Sequence, residues 1–317
     1  MFKKLVKKLA VAATLVGMAA TLTASAACKI ESKHPKVRIT VEFNSEVYEL
    51  DYTLYRNMYP NTVRHFIELA ENGVYDDVLV HDNRSVDWLS GGYSYNAEEY
   101  TAAADINAYA DYLHEHSVEQ KYMDLFHAGA FTPTVYSRYE FNEKDEQVLV
   151  QDSALPTLIG EFYDNIKQEI EKGALTAEMG TLKMFYYSKE SSDKKVVNKA
   201  HVTPTDDQII WNADYKNNCA TTVFAMQMAG ASALSETKYC VFGKMDSTSA
   251  LTKLMDAVAD YYVDDEDTMT IEVQEVSVDS LLDSEVAGLG IAVAGTEQKF
   301  NLPSLPIVIK SVKVTKY

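Results

Sequence analysis

From Val37 to Phe43 apolar and polar positions alternate without a break: Val37, Ile39, Val41 and Phe43 against Arg38, Thr40 and Glu42. That period of two predicts a strand with one buried face, and Val47–Tyr52, close behind it, can pair back. At Pro60 the period changes. Val63, Phe66, Ile67 and Ala70 fall at i, i+3, i+4 and i+7 behind a proline suited to a first helical turn, and Gly73 stands where a left-handed stop is wanted, so a helix is expected over Pro60–Asn72. Val78–Leu89 reads as one or two short strands ended by Gly91-Gly92. From Asn96 to about Ala130 the pattern is helical, with Ile106, Tyr109 and Leu113 on one face and Tyr122, Leu125 and Phe126 continuing it after a break.

Val135–Val150, tyrosine-rich and charged, suggests a hairpin. A short helix carrying Ile166 and Ile170 closes at Gly173, Leu182–Tyr187 is strand-like, and Ser188–Lys199 is a polar, lysine-rich loop. Strand patterns return at Thr221–Met228, Tyr239–Met245 and Met269–Val278, with a helix marked by Leu251, Leu254, Met255 and Val258 among them. Ser280–Leu302 reads as an irregular excursion and Pro306–Val314 as a final strand. Strands outnumber helices and close hairpins recur, which predicts a mainly antiparallel barrel or sandwich with a few flanking helices. No Pro/Gly/Ser-rich linker divides the chain and no internal repeat is present, so one large core is expected.

The first residues do not belong to this pattern. Lys3, Lys4, Lys7 and Lys8 precede an uncharged, mostly apolar run, Leu9 to Ala24, and small residues follow: the layout of an export signal over residues 1–27. The run is diluted by Ala and Thr and falls short of the ~20 strongly apolar residues of a membrane span. Two cleavage schemes fit. Ala24-Ser25-Ala26 suits an ordinary signal peptidase and would leave a secreted soluble protein. Ser25-Ala26-Ala27-Cys28 resembles a bacterial lipobox, with Ser25 where leucine is usual. A diacylglyceryl thioether on Cys28 would then anchor the chain through a tether, residues 28–36, to the outer face of the cytoplasmic membrane.

The 317 residues include 29 basic and 47 acidic ones, for a net charge of −18. Removing the leader removes four lysines and no acids, leaving −22. A surface this acidic repels phosphate backbones, which sets nucleic acid aside as a partner, and it disfavours contact with anionic lipid beyond the anchor. Beyond Cys28 only Cys219 and Cys240 remain; one disulfide and two small apolar residues beside strands are both consistent with them. His114-Glu115-His116 has the composition of a metal cluster, but on a helix the two histidines stand about 200° apart, so a solvated helix segment is expected. Asp264-Asp265-Glu266-Asp267 lacks the glycine and terminal glutamate of a calcium hand and reads as an acidic turn. No metal site is expected.

Several stretches resemble one family. Y55-R-N-M-Y-P-N-T-V-R-H-F-I-E-L-A-E-N-G-V-Y-D-D77 is similar to the segment of cyclophilin-type peptidyl-prolyl cis-trans isomerases in which a short strand leads into x-P-x-T-V-x-N-F, a helix and G-x-Y-D. The family's F-H-R-x-x-x-G-F-M-x-Q-G-G follows at the same spacing, as V80-H-D-N-R-S-V-D-W-L-S-G-G92. L158-I-G-E-F162 resembles I-x-G-E-F, G173-A-L-T-A177 resembles G-x-L-S-M, and E236-T-K-Y-C-V-F-G-K244 resembles D-G-K-H-x-V-F-G-K. The stretch Pro303–Val314 resembles the closing P-x-x-P-V-x-I-x-x-V. The blocks span nearly all of the mature chain. The resemblance implies a closed eight-stranded antiparallel barrel over residues 37–317, two capping helices near Pro60–Asn72 and Ser247–Ala259, and insertions at about 93–154 and 280–301.

It also implies a mechanism. Rotation about an X–Pro bond is slow because the amide is conjugated. The family grips the proline ring in a pocket, and an arginine donates a hydrogen bond to the prolyl nitrogen as conjugation is lost, with no covalent step and no cofactor. Here the arginine position is Asp82, the pocket's phenylalanine and methionine positions are Asp87 and Trp88, and the glutamine before the double glycine is Ser90. The S-Q-F-F-I strand falls near T222-V-F-A-M226, in a register open by one, which puts Phe224 and Met226 among the candidate peptide contacts; the pocket tryptophan maps to about Leu234 and the pocket histidine to Tyr239. His81 is retained. Arg84 stands one strand period from Asp82: it is either a displaced donor or the partner of Asp82 in a surface ion pair of little energetic weight. Trp88 is either the floor of a peptide groove or a core residue.

The expected function is therefore that of an exported, membrane-anchored isomerase-like protein that binds proline-containing or unfolded segments of exported proteins, with catalysis weak or lost. The alternative is a non-catalytic interaction module whose contact surface is built from Tyr93, Tyr95, Tyr100, Tyr109 and Tyr112. A solute-binding lipoprotein is set aside for want of a two-lobed αβ pattern.

Overall fold

The computed structural model describes residues 33–102, 106–132, 134–155, 158–159, 161, 175–184, 196–198, 211–213, 219–230, 240–264, 271–276, 298–303 and 305–317. In chain order the elements are β1 (Lys36–Phe43), β2 (Glu46–Leu54), α1 (Pro60–Glu71), β3 (Val78–Asn83), β4 (Asp87–Ser94), α2 (Ala97–Ala102), α3 (Ile106–Glu115) and α4 (Glu119–His127). Then come β5 (Thr134–Phe141), β6 (Gln147–Leu155), β7 (Leu158–Ile159), β8 (Thr181–Met184), β9 (Val196–Asn198), β10 (Trp211–Ala213), β11 (Cys219–Ala220) and β12 (Phe224–Gln227). The chain ends with β13 (Val241–Met245), α5 (Ser249–Asp264), β14 (Ile271–Val276), β15 (Gln298–Leu302) and β16 (Ile307–Lys316). Among the described residues no helix is long and apolar enough to cross a membrane; the run Leu9–Ala24 and Cys28 lie outside them.

Eight antiparallel strands close into a barrel in the order β1-β16-β3-β4-β12-β8-β13-β2. The closing ladder joins the first and last strands, with Ile39 opposite Val312 and Phe43 opposite Ile307. The period of two read from the sequence has a direct consequence here. Val37, Ile39, Val41 and Phe43 fill the interior with Leu50, Tyr52, Leu54, Trp88, Leu182, Phe224, Met226, Phe242 and Ile309, and α1 and α5 add Val63, Phe66, Leu251 and Leu254 to the same core.

The helix expected at Pro60 forms, and its first turn is capped from afar. Tyr59, at the N-cap position, makes no side-chain cap. Glu161 instead accepts hydrogen bonds from the main-chain N–H of Asn61 (3.1 Å) and Thr62 (2.7 Å) and from Thr62 Oγ1 (2.8 Å), so the glutamate of the L158-I-G-E-F162 block meets the helix's unpaired donors.

Two expectations require correction. Gly91-Gly92 does not end a strand; both glycines lie inside β4. Gly91 has φ +86° and a Cβ there would stand 2.5 Å from the Thr222 carbonyl oxygen, so the glycine permits close approach of β12 rather than a stop. The stretch to Leu302 is not irregular throughout, because β15 returns to pair with β14, Leu302 opposite Ile271. Strand β8, Thr181–Met184, is part of the barrel wall; Gly173 and Ala174 of the G173-A-L-T-A177 block lie outside the described residues, as do Ile166 and Ile170.

Candidate functional site

Partners across an antiparallel ladder share a face, so register sorts the residues singled out above into two groups. On β3 and β4 a bulge between Val80 and Asp82 sets Val80 opposite Ser90 but Asp82 opposite Leu89. On β12, Phe224 faces Ser90 and Met226 faces Trp88, while Ala225 faces Leu89 and Gln227 faces Asp87. Trp88, Ser90, Phe224 and Met226 lie on the interior side, with Phe224 against Phe66 and Tyr75. Asp82, Asp87, Leu89, Ala225 and Gln227 lie on the outer wall, joined by Lys183, which is opposite Ala225 on β8.

Of the candidate peptide contacts, Phe224 and Met226 are wholly buried and Trp88 is 6% exposed within the barrel core. Ser90 donates its hydroxyl to the Leu79 carbonyl oxygen at 2.7 Å. Leu234 and Tyr239 lie outside the described residues.

On the outer wall the charges are arranged in pairs. Asp82 is 0% exposed and its Oδ2 is 2.7 Å from Nε of Arg84, whose side chain is 56% exposed. The ion pair expected between them forms, but it is not a surface pair. The bulge turns Asp82 under cover, so Arg84 is the cation beside a buried carboxylate, a far more consequential role than that of a solvated partner. Asp87 does not stand in water alone: Lys183, itself nearly buried, reaches its two carboxylate oxygens at 2.8 and 2.9 Å. Lys183 escaped notice in the sequence because its partner lies two strands away; its one local signal is a charge inside the apolar run T181-L-K-M184.

His81 is buried edge-on against Tyr93, with ring centroids 4.9 Å apart. Burial pushes its pKa down to about 3, the nearby Arg84 charge acts in the same direction, and a main-chain hydrogen bond with Leu79 opposes them. The ring is thus neutral at physiological pH.

The helical segment after β4 covers this wall. Tyr100, Tyr109, Tyr112 and Leu113 of α2 and α3 form one buried cluster with Leu79, Leu89, Tyr93, Val223, Ala225 and Val308 of the barrel, and Leu302 of β15 joins it. The tyrosine hydroxyls are used internally: Tyr100 donates to the Pro303 carbonyl, and Tyr112 donates to Ser94 O at 3.0 Å while accepting from Asn96 N–H at 2.8 Å. The tyrosines expected to face a partner therefore face the chain's own barrel, with Tyr95 partly buried beside them. Apolar outer-wall residues such as Leu89 and Ala225 supply the floor on which α2 and α3 pack.

His116, from the suspected metal cluster, stacks on Tyr112 at 4.0 Å and lies 3.1 Å from Glu99; among the described residues no group of three or more His, Cys, Asp or Glu is placed to hold a metal. Cys240 is buried with its Sγ 3.6 Å from Thr62 Oγ1, and nothing is described of the Cys219 side chain. An open pocket between β2, β13 and α5, lined by Val47, Tyr48, Asp51, Met245, Asp246 and Lys253, contains none of these residues. Chemically, the outer face of β3, β4 and β8 beside these residues offers Arg84 and Lys183, each engaged by a carboxylate, and a neutral histidine.

A family model described as cyclophilin type peptidyl-prolyl cis-trans isomerase/CLD matches residues 38–278. No curated protein matches the chain. Among solved structures, a cyclophilin-type peptidyl-prolyl cis-trans isomerase of Cryptosporidium parvum is 15% identical, with 90% of this chain and 99% of that one covered and a TM-score of 0.38. The Mimivirus cyclophilin is 13% identical, with 71% of this chain and 80% of that one covered and a TM-score of 0.37.

Proposed function

From the premise that the chain belongs to the cyclophilin-type peptidyl-prolyl cis-trans isomerase family, we propose that it acts outside the cytoplasm as a polypeptide-binding protein in which isomerase turnover is weak or lost. In this reading residues 1–27 are an export signal, Cys28 carries the lipid, and the barrel sits at the outer face of the cytoplasmic membrane, meeting segments of other exported proteins.

One observation carries the loss of turnover. Where the resemblance places a donor arginine, Asp82 is fully buried and held by Arg84. A carboxylate cannot donate to a prolyl nitrogen, and losing one preorganised donor typically costs ~10²–10³ in rate. Two further features support the reading. The wall beside Asp82 is filled by Leu113, Tyr109 and Tyr112 of the inserted helices. Phe224 and Met226 present no accessible surface. What stays open is the rim at the β3–β4 turn, where Arg84 and Val86 are exposed and Asp87 partly so.

The test is proline-isomer exchange of a short proline peptide, followed by NMR. Exchange at the uncatalysed rate is expected. Robust acceleration that disappears in Arg84→Ala would overturn the proposal and assign the donor to Arg84.

A further inference from the structure

The closing ladder sets cation against cation. Lys36 stands opposite Lys316 and Arg38 opposite Lys313. Val37, Ile39 and Val312 occupy the interior between them, so all four charges share the outer wall. Like charges directly opposite on neighbouring strands destabilise a sheet, and here they occur in a chain with an excess of acids. Lys36 is met by Asp246 at 2.5 Å, and Arg38 by Asp51 at 2.8 Å and Glu49 at 2.6 Å. Lys33, Lys313 and Lys316 are exposed, and among the described residues none of the three has an acidic partner.

These cations lie where the chain enters the barrel. Seven residues lie between Cys28 and Lys36, and the eight steps from one to the other reach at most ~28 Å. Electrostatic attraction to a charged surface acts over a Debye length of about 10 Å, so the charges nearest the surface decide the contact and the acidity of the rest of the molecule is screened. Lysines and arginines held beside an anionic leaflet are attracted to it individually.

We propose that the β1–β16 end of the barrel, with Lys33, Lys36, Arg38, Lys313 and Lys316, is a membrane-facing surface that contacts anionic phospholipid headgroups. Its place in the cell rests on the lipid-anchor reading; its chemistry does not. The headgroups supply the counter-charge that the fold withholds from Lys313 and Lys316, and they orient the barrel on its tether.

The experiment uses the mature chain from residue 28 with Cys28→Ser, which contains every described residue but carries no lipid. It is sedimented with phosphatidylcholine vesicles with and without phosphatidylglycerol. Binding is expected only to the anionic vesicles, lost on raising the salt, and weakened about tenfold or more by Lys313→Glu with Lys316→Glu, while Lys144→Glu in the exposed β5–β6 turn has little effect. Lys144→Glu should keep the parent melting temperature, and the double variant, which replaces opposed like charges by opposite ones, should melt no lower than the parent. Equal binding to both vesicle types, an unaffected double variant, or an equal loss in Lys144→Glu would overturn the proposal. Mass spectrometry of the native protein tests the anchor separately: an N-terminus without acyl groups would end that reading and leave the vesicle result standing.

Discussion

Two histidines set the behaviour of single residues in acid. His65 of α1 donates through Nε2 to the Thr221 carbonyl oxygen at 2.9 Å, and burial pushes its pKa down to about 4; that of His81 is pushed down to about 3. Both are lowered, so the folded protein keeps them neutral where the unfolded chain, titrating near the ordinary value of 6.5, takes up protons. Their contribution to stability is complete above about pH 6.5. It declines by about 1.4 kcal/mol per pH unit for each histidine as pH falls, ending near pH 4 for His65 and near pH 3 for His81. Urea unfolding should therefore show a lower midpoint at pH 5 than at pH 7.5, with a smaller difference in His65→Asn. An identical pH dependence in that variant would show that His65 is not a source of the effect. Neither histidine's burial could be read locally: His65 meets its partner Thr221 across 156 residues of chain, and His81 packs against Tyr93, a dozen residues later.

At the scale of elements, the cap on α1 makes a separate claim. Glu161 meets the first turn across about a hundred residues of chain, and carboxylate hydrogen bonds of this kind stabilise by roughly 1–3 kcal/mol. Thermal or urea unfolding of Glu161→Ala should show a loss of about 2 kcal/mol, and Glu161→Gln a smaller loss, since an amide keeps one acceptor. An unchanged Glu161→Ala variant would mean that water caps the helix equally well. The strands and helices with clean periods, β1, β2, α1 and α5, were legible because one face of each meets a single continuous core. Legibility failed where two surfaces compete for the same side chains. In β4 both faces are buried, Trp88 inward and Leu89 outward, so alternation disappears, and Gly91 answers to β12 rather than to its own strand.

For the whole molecule, the barrel was anticipated because its blocks recur in order, and β1 and β16 close it. The site was only half legible. That the resemblance sets Asp82 at the arginine position can be read in the sequence, but the covering of the wall by α2 and α3 cannot, because tyrosines suit an internal cluster and a partner surface equally well. Closure also allows a test of the architecture. With Lys36 beside Lys316, the two ends can be joined by a short linker and the chain reopened in the exposed turn at Lys144-Asp145. This permuted protein should melt cooperatively, with circular dichroism like the parent. A permuted chain that does not fold would show that β5 and β6 must be continuous for the barrel to form.

The β1–β16 ladder has a temporal consequence as well. Strand β1 is the first barrel strand along the chain and β16 the last, and β1 has only β2 as a nearby partner until β16 arrives. A chain that emerges from its N-terminus onward can form the β1–β2 hairpin and seat α1, but it cannot close its interior until the final strand is free. Such non-local pairing makes folding slow. During that interval the outward edge of β1, with its main-chain donors and acceptors unpaired, is open to other extended chains.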